Sequence, residues 1–519
     1  MRAAGTPDAR GPRVFALGLA LLACAFGGCR SGPAALQPPP TRASTAPVPA
    51  AVPAPAPSAH VHTAPVLVQV WVTTADRSRL LARDVDLKLD DQPLQPLVIE
   101  VDESTRYQEM VGFGAAVTDA TVTVISKRLK PAKRNALMRE LFGPPPGIGL
   151  SFVRVPIGAS DFSASHYSLD DRPPGENDPT LAHFALDANH TLLTPLLHAA
   201  RAINPQLKVV ASPWSAPGWM KDSGNLVSGK LKPEAYGVFA DYLLRYADAS
   251  EQAGVPIYAL TVQNEPGFEP KDYPGMLFDP ASRARFISQF LGPRLAAHKH
   301  SPLILDWDHN WDKPEAPLEV LADPGAARYI AGVAWHCYYG EVQAQQQVHE
   351  AYPDKDAYLT ECSGGGWSPR WNEALKQFVS RLMIGSTRGW SKGVILWNLA
   401  LDERHGPHAG GCKNCRGVIT VDSATGHVTR NVEYYSLAHL SRFVRPGARR
   451  IESSAVADGL QSVAFRNTDD GSLVLLVLNG ATEERAFSVR VAGRSFRYQL
   501  PAGAVATFRW QRTPGRSQP

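Results

Sequence analysis

Cysteine is scarce: six among 519 residues, too few for a chain held together by disulfides. Charge of one sign is scarce as well. Lys and Arg number 53 against 49 Asp and Glu, a net charge of +4, and no run of Lys or Arg occurs. A nucleic-acid binder carries a basic stripe or patch, so nucleic acid is excluded as a partner. The N-terminal apolar run, Val14–Ala23, has ten residues, too short for a permanent membrane-spanning helix. No internal repeat is present. What the chain does have is 44% apolar and 20% charged residues, the balance of a globular protein with a large core. It also has 44 Pro, 42 Gly and 11 Trp. The length allows roughly two or three domains.

Residues 1–30 read as an export leader, with Arg2, Arg10 and Arg13 ahead of the apolar run. Leu21-Leu22-Ala23-Cys24 resembles a bacterial lipobox, and Phe26-Gly27-Gly28-Cys29 matches it less well. Two readings stay open: a lipoprotein anchored to a bacterial membrane, periplasmic or on the outer membrane, or an ordinary secreted protein. Residues 31–63 form a Pro/Ala-rich linker, with nine prolines between 31 and 60. Such a composition buries no core and acts as a semi-rigid tether.

The body begins with β-like alternation at Val66–Val72 and Leu97–Val101. From 109 to 437, short apolar runs alternate with amphipathic helical stretches such as Pro233–Ala253 and Asn372–Ile384. The runs are Met110–Phe113, Ser151–Pro156, Lys208–Ser212, Ile257–Val262, Leu303–Trp307, Gly332–His336, Ala357–Thr360 and Val394–Trp397. Eight strands alternating with helices predict an α/β fold, a (β/α)8 TIM barrel; a doubly wound sheet is the competing reading. Residues 438–512 return to period-2 alternation with Gly turns, as a β-sandwich does. The strands of 64–108 lack a barrel partner and are expected to join that sandwich, making it discontinuous.

Polar and aromatic residues collect where these strands end: Arg154 with Ser160-Asp161, Ser212-Pro213-Trp214, Gln263-Asn264-Glu265, Asp306-Trp307-Asp308-His309, Trp335-His336-Cys337-Tyr338-Tyr339, Thr360-Glu361-Cys362 and Trp397-Asn398. Any one of these has a bland reading as a helix cap. Their recurrence at the end where barrel enzymes place their chemistry points to a site. Glu265 and Glu361 follow the fourth and seventh strands, which face each other across a barrel. Two carboxylates across a sugar are what glycoside hydrolysis needs. Aromatic rings suit the apolar faces of a sugar, and polar donors suit its hydroxyls.

In order along the chain stand Gly112-Phe113-Gly114-Ala115-Ala116-Val117-Thr118-Asp119-Ala120, Arg154-Val155-Pro156, Ser160-Asp161-Phe162, Ala211-Ser212-Pro213-Trp214-Ser215-Ala216-Pro217, Asn264-Glu265-Pro266, His336-Cys337-Tyr338, Glu361 and Trp397-Asn398-Leu399-Ala400-Leu401. With this set, residues 105–445 resemble glycoside hydrolase family 30, its glucosylceramidase-like branch. The resemblance implies a retaining mechanism with Glu265 as acid/base and Glu361 as nucleophile. It implies substrate-binding roles for Asp161, Trp214, Asn264, His336, Tyr338, Trp397 and Arg154, with Asn264 on the sugar 2-hydroxyl, Tyr338 on the nucleophile and Arg154 holding Glu361 ionised. A retaining pair sits ~5–5.5 Å apart, so Glu265 is expected to have a raised pKa and to start protonated. No cofactor or metal is required.

The implied activity is hydrolysis of a terminal β-glucosyl linkage in a glycolipid or β-glucoside. Endo-β-1,6-glucanase and β-xylosidase or xylanase activities are same-family alternatives. A silent, surface-tethered carbohydrate-binding protein is the alternative from another class, and the presence of both glutamates speaks against it. The loop His405–Gly417, with Cys412-x-x-Cys415, departs from the animal lysosomal enzymes and puts glucosylceramide itself in question.

Other patterns are decoys. Gly112-Phe113-Gly114 lacks the third glycine of a dinucleotide loop. Gly389-Trp390-Ser391-Lys392-Gly393 precedes a strand rather than following one, as a nucleophile elbow must. Cys412 and Cys415 with His405 and His408 fall short of a stereotyped zinc set; a local disulfide or free thiols is the preferred reading. Cys337 and Cys362 are expected as buried free thiols, with a bridge as the alternative. Trp214, Trp219, Trp307, Trp311, Trp335, Trp367 and Trp397, all near strand ends, are expected to line the sugar site.

Overall fold

The computed structural model describes residues 66–90, 92–186, 190–299, 301–454 and 459–511. The leader and linker expected over 1–63, with Cys24 and Cys29, lie outside the described residues. Among the described residues, no helix is long and apolar enough to cross a membrane.

Eight parallel strands form the barrel: β1 Gly112–Ala115, β2 Phe152–Ile157, β3 Lys208–Pro213, β4 Ala259–Thr261, β5 Leu303–Asn310, β6 Ile330–His336, β7 Asp356–Glu361 and β8 Ser391–Leu396. Each overlaps one of the apolar runs read from the sequence. β1 pairs with β8, and the ring closes between β1 and β2 through an Ala116–Arg154 bridge and the Val117 N–H to Arg154 carbonyl bond of 2.8 Å. A closed ring excludes the doubly wound alternative. Inside the barrel, Phe152, Val210, Ala259, Leu305, Ala334, Tyr358 and Ile395, one from each of β2–β8, pack into a single buried cluster. This plug leaves the C-terminal end as the place for a cavity.

The glycines of β1 serve this packing. A Cβ on Gly114 would lie 1.9 Å from the Phe152 carbonyl oxygen, and one on Gly393 of β8 would lie 2.6 Å from the Phe152 ring. The Gly-x-Gly pattern therefore makes room for β2 rather than for a nucleotide. Ser391, of the Gly-x-Ser-x-Gly pattern, is buried at the start of β8, where its hydroxyl donates to the Gly393 carbonyl. It is a structural serine.

The helices follow their apolar periodicity. Tyr236–Gln252 buries Tyr236, Phe239, Ala240, Leu243, Tyr246 and Ala247 on one face, at the i, i+3, i+4, i+7 spacing of a core-facing stripe. It stops before Gly254, at φ +79°, a left-handed position that favours glycine. The stretch expected as one helix over Asn372–Ile384 is an α-helix, Trp371–Gln377, that widens into a π-helical turn, Phe378–Ser386.

A ten-stranded sheet assembles from both ends of the chain. Val66–Thr73 pairs antiparallel with Val505–Trp510, and Val98–Glu109 pairs with Arg449–Ser453 and, in parallel, with Arg485–Val491. The helix Val432–Ser441 runs across the boundary read after residue 437 and carries His439 to this sheet. The two ring nitrogens of His439 meet Thr507 Oγ1 at 2.9 Å and Thr73 Oγ1 at 2.8 Å. Burial pulls its pKa to about 3, so a neutral imidazole ties the first and last strands to the barrel.

Candidate active site

The strand ends converge on a cavity of about 620 Å³, within the usual range for a small-ligand site. Glu265, just past β4, and Glu361, the last residue of β7, both line it. His336 Nδ1 lies 3.0 Å from Glu265 Oε1 and 3.9 Å from Glu361 Oε1. Those two distances cap the separation of these oxygens at about 7 Å, a limit that admits the ~5–5.5 Å of a retaining pair.

Each oxygen of Glu361 has its own donor: Arg154 Nη1 reaches Oε2 at 2.7 Å, and the Tyr338 hydroxyl reaches Oε1 at 2.9 Å. Arg154 is fully buried. Its other terminal nitrogen donates to Asp308 Oδ2 at 2.6 Å and to Asn264 Oδ1 at 2.7 Å. The ring of Trp214 lies 4.7 Å from this guanidinium and stacks on Trp397 at 5.2 Å.

Asp308 is the hub the sequence reading missed. Its two oxygens accept from Arg154, Ser212, Thr261 and Thr360 and face His336 Nε2 at 3.1 Å. Burial opposes its charge, but Arg154 and then His336 hold it far below the usual carboxylate range. Four non-glycine residues around the site take positive φ: Glu265 (47°), Trp307 (74°), Asp308 (51°) and Asn398 (63°). Strain of this kind persists where surrounding bonds over-determine the backbone, as the Glu265 N–H to Asp308 carbonyl bond of 3.1 Å does here.

The protonation order departs from expectation. Burial raises Glu265, but the hydrogen bond from His336 and the charges of His309, His336 and Arg154 bring it below its ordinary value. Burial raises Glu361, and His336, Arg154 and Tyr338 offset only part of that rise. Burial lowers His336, yet Glu361, Asp308 and Glu265 together lift it to about 9. The imidazole of His336, held between two carboxylates, therefore competes with Glu265 for the proton expected there.

Not all the expected residues reach the cavity. Asp161, Glu265, Tyr338, Glu361 and Trp397 line it, whereas Arg154, Trp214, Asn264 and His336 stand behind its wall. His336, expected as part of that wall, is fully buried and acts on Glu265 and Asp308. Of the seven tryptophans expected to line the site, Trp367 and Trp397 do so. Trp307, Trp311 and Trp335 are core residues, and the Trp219 indole donates to the Asp170 carbonyl at 3.0 Å. Large rings near strand ends also fill the space between barrel and helices. The sequence reading did not single out Phe268, Tyr273, Tyr339 or His309, which also line the cavity. Tyr339 and His309 stand in the strand-end clusters of β6 and β5, a signal present in the sequence.

Glu265, His309 and His336 present three ligand atoms within 4.8 Å of one another, enough for a divalent ion. The Glu265–His336–Asp308 chain already engages the ring nitrogens of His336. Cys337 and Cys362, expected as free thiols, form a disulfide with Cα atoms 5.3 Å apart. The cause is register: His336 pairs with Glu361 across β6 and β7, so the next residues face each other. Cys412 and Cys415 form the local disulfide.

Residues 110–444 match the Glycosyl hydrolase family 30 TIM-barrel domain, and residues 447–508 match the family's β-sandwich domain. An endo-1,6-β-D-glucanase of Aspergillus fumigatus is 33% identical over 440 residues, covering 79% of this chain and 87% of the relative. The lysosomal acid glucosylceramidase of Mus musculus is 30% identical, covering 80% and 84%. A solved endo-β1,6-glucanase structure superposes with a TM-score of 0.79 at 32% identity, covering 86% of this chain and all of that one. With a barrel, a sheet from both chain ends and paired glutamates at the strand ends, this chain belongs to glycoside hydrolase family 30.

Proposed function

We propose that this glycoside hydrolase cleaves β-glucosidic bonds with retention, with β-1,6-linked glucan as its main substrate. The observation that carries the chemistry is the arrangement of Glu265 and Glu361 around His336 Nδ1, with Arg154 and Tyr338 on the two oxygens of Glu361. Glu361 attacks the anomeric carbon. Glu265 delivers the proton it shares with His336 to the departing oxygen, then activates water in the second step. Asp161 and Trp397 hold the sugar, and Trp214 and Arg154 hold Trp397 and Glu361 in place.

For the substrate, support comes from the 33–35% identity to endo-1,6-β-glucanases and from the rim. Phe268, Tyr339 and Trp367 are 46%, 68% and 53% exposed and all border the cavity. Such rings suit a further sugar unit. A second reading, removal of a terminal β-glucosyl group, is favoured by the loop that closes over Asp161 and by the glucosylceramidase relatives. Product analysis separates them: β-1,6-glucan should yield gentio-oligosaccharides, whereas release of glucose alone, or turnover of glucosylceramide in preference to the glucan, would favour the second reading.

Glu265→Ala should lower kcat/KM on substrates with poor leaving groups by about 10²–10⁴-fold and spare kcat/KM on activated aryl glucosides, whose kcat still falls because the second step loses its base; equal losses of kcat/KM on both would remove Glu265 from the acid role. Trp367→Ala should raise KM on the glucan several-fold and leave KM on an aryl glucoside unchanged, which steady-state kinetics would show. The proton shared by His336 and Glu265 is lost as pH rises through about 9, so activity should fall on the alkaline side there. His336→Asn should move that limb to lower pH.

Residues 1–30 are proposed as an export leader that places the enzyme outside the cytoplasm. Fractionation of cells, with a Cys24→Ser variant, tests export and lipid anchoring.

A further inference from the structure

We propose that the Cys412–Cys415 disulfide is a positioning device for Asp161, fixing the backbone that seats its carboxyl against the bound sugar. This rests on the reading that Asp161 grips the sugar. The segment His405–Cys415 follows β8 and returns to the cavity, which Gly411, Cys412 and Cys415 help to line. Three neighbours fix its course. The Ala409 N–H donates to the Asp161 carbonyl at 2.9 Å, the Gly411 N–H reaches Asp272 Oδ1 at 3.4 Å, and the Gly366 N–H donates to the Asn414 carbonyl at 2.9 Å. Cys415–Arg416 also pairs antiparallel with Gly364–Gly365, a few residues past Glu361.

Contact with Asp161 is close. A Cβ on Gly411 would lie 2.5 Å from Asp161 Cβ and 2.7 Å from its Oδ2. Gly410 and Gly411 stand at φ +89° and +65°, positions that favour glycine; Gly410 packs on the Asp272 carbonyl and Gly411 on Asp161. Asp161 is left 8% exposed, its carboxyl facing the cavity beneath this loop.

The ring closed by the bridge spans a sequence separation of three. So short a closure removes less entropy from the unfolded chain than a long loop does. What it restrains is local: without it, the backbone of Ala409–Gly411 loses its fixed place against Asp161. A staple of this kind should govern substrate capture and leave the chemical step nearly untouched.

The test is steady-state kinetics on an aryl β-glucoside with Asp161→Asn, the double variant Cys412→Ser/Cys415→Ser, and their combination. The double variant should raise KM several-fold, the scale of one weakened hydrogen bond from Asp161 to the sugar, with kcat within about twofold. In the Asp161→Asn background the same double substitution should raise KM no further. Gly411→Ala, which keeps the bridge but pushes the loop off Asp161, should reproduce the KM rise. An unchanged KM in both loop variants, or an equal rise with Asp161 already replaced, would overturn the proposal. If Asp161→Asn alone leaves KM unchanged, the sugar-gripping role fails and the proposal falls with it; a rise there with none in the loop variants fails the staple alone.

Discussion

Glu361→Gln should retain less than about a hundredth of wild-type turnover, a barrier increase of at least ~2.7 kcal/mol. The amide keeps the shape of the side chain but has no lone pair able to attack the anomeric carbon at a useful rate. Arg154 loses one partner and keeps Asp308 at 2.6 Å, so the fold should survive, as an unchanged circular dichroism spectrum would verify. Turnover of an aryl β-glucoside is the measurement. A variant above a hundredth of wild type would mean that another group attacks.

Asp308→Asn should be the most damaging change to stability. It removes one partner from a fully buried ion pair and leaves a neutral amide facing Arg154, Ser212, Thr261, Thr360 and His336. Breaking a buried pair from one side costs about 3–5 kcal/mol, visible as a fall of several degrees in the thermal midpoint. His336 also loses one of the groups that hold its pKa near 9, so the alkaline limb of activity should move to lower pH. Wild-type stability with an unmoved limb would contradict the role given to Asp308.

Asp308 also shows where sequence reading ends. Its segment stood out as one of several polar strand ends, but nothing in Asp306-Trp307-Asp308-His309 says which carboxylate faces inward. β5 bends at Trp307 and Asp308, both at positive φ, and that bend turns Asp308 onto Arg154 while Asp306 turns outward to Arg283 at 2.8 Å. Plain alternation along a strand misses it. The barrel strands were legible because each is a short apolar run bounded by turn residues, and Glu265 and Glu361 were legible because opposed strands deliver them to one cavity.

The depth of a residue was not legible. Trp214 and Trp397 look equivalent as strand-end rings, yet one stacks beneath the other. The proton order was not legible either, since it depends on His336 standing between Glu265 and Asp308, a contact among residues 28 to 71 positions apart. The pairing of Cys337 with Cys362 was within reach, because both follow paired strands by one residue.

The central claim is that Glu361 forms a covalent bond with the sugar. A 2-deoxy-2-fluoro-β-glucoside with a good leaving group tests it most directly, because the fluorine slows breakdown of the glycosyl enzyme. After digestion, mass spectrometry should find the fluoroglucosyl group on the peptide containing Glu361, with fragmentation assigning it to that side chain. A label on any other residue, or inactivation of the Glu361→Gln variant at the wild-type rate, would contradict the account.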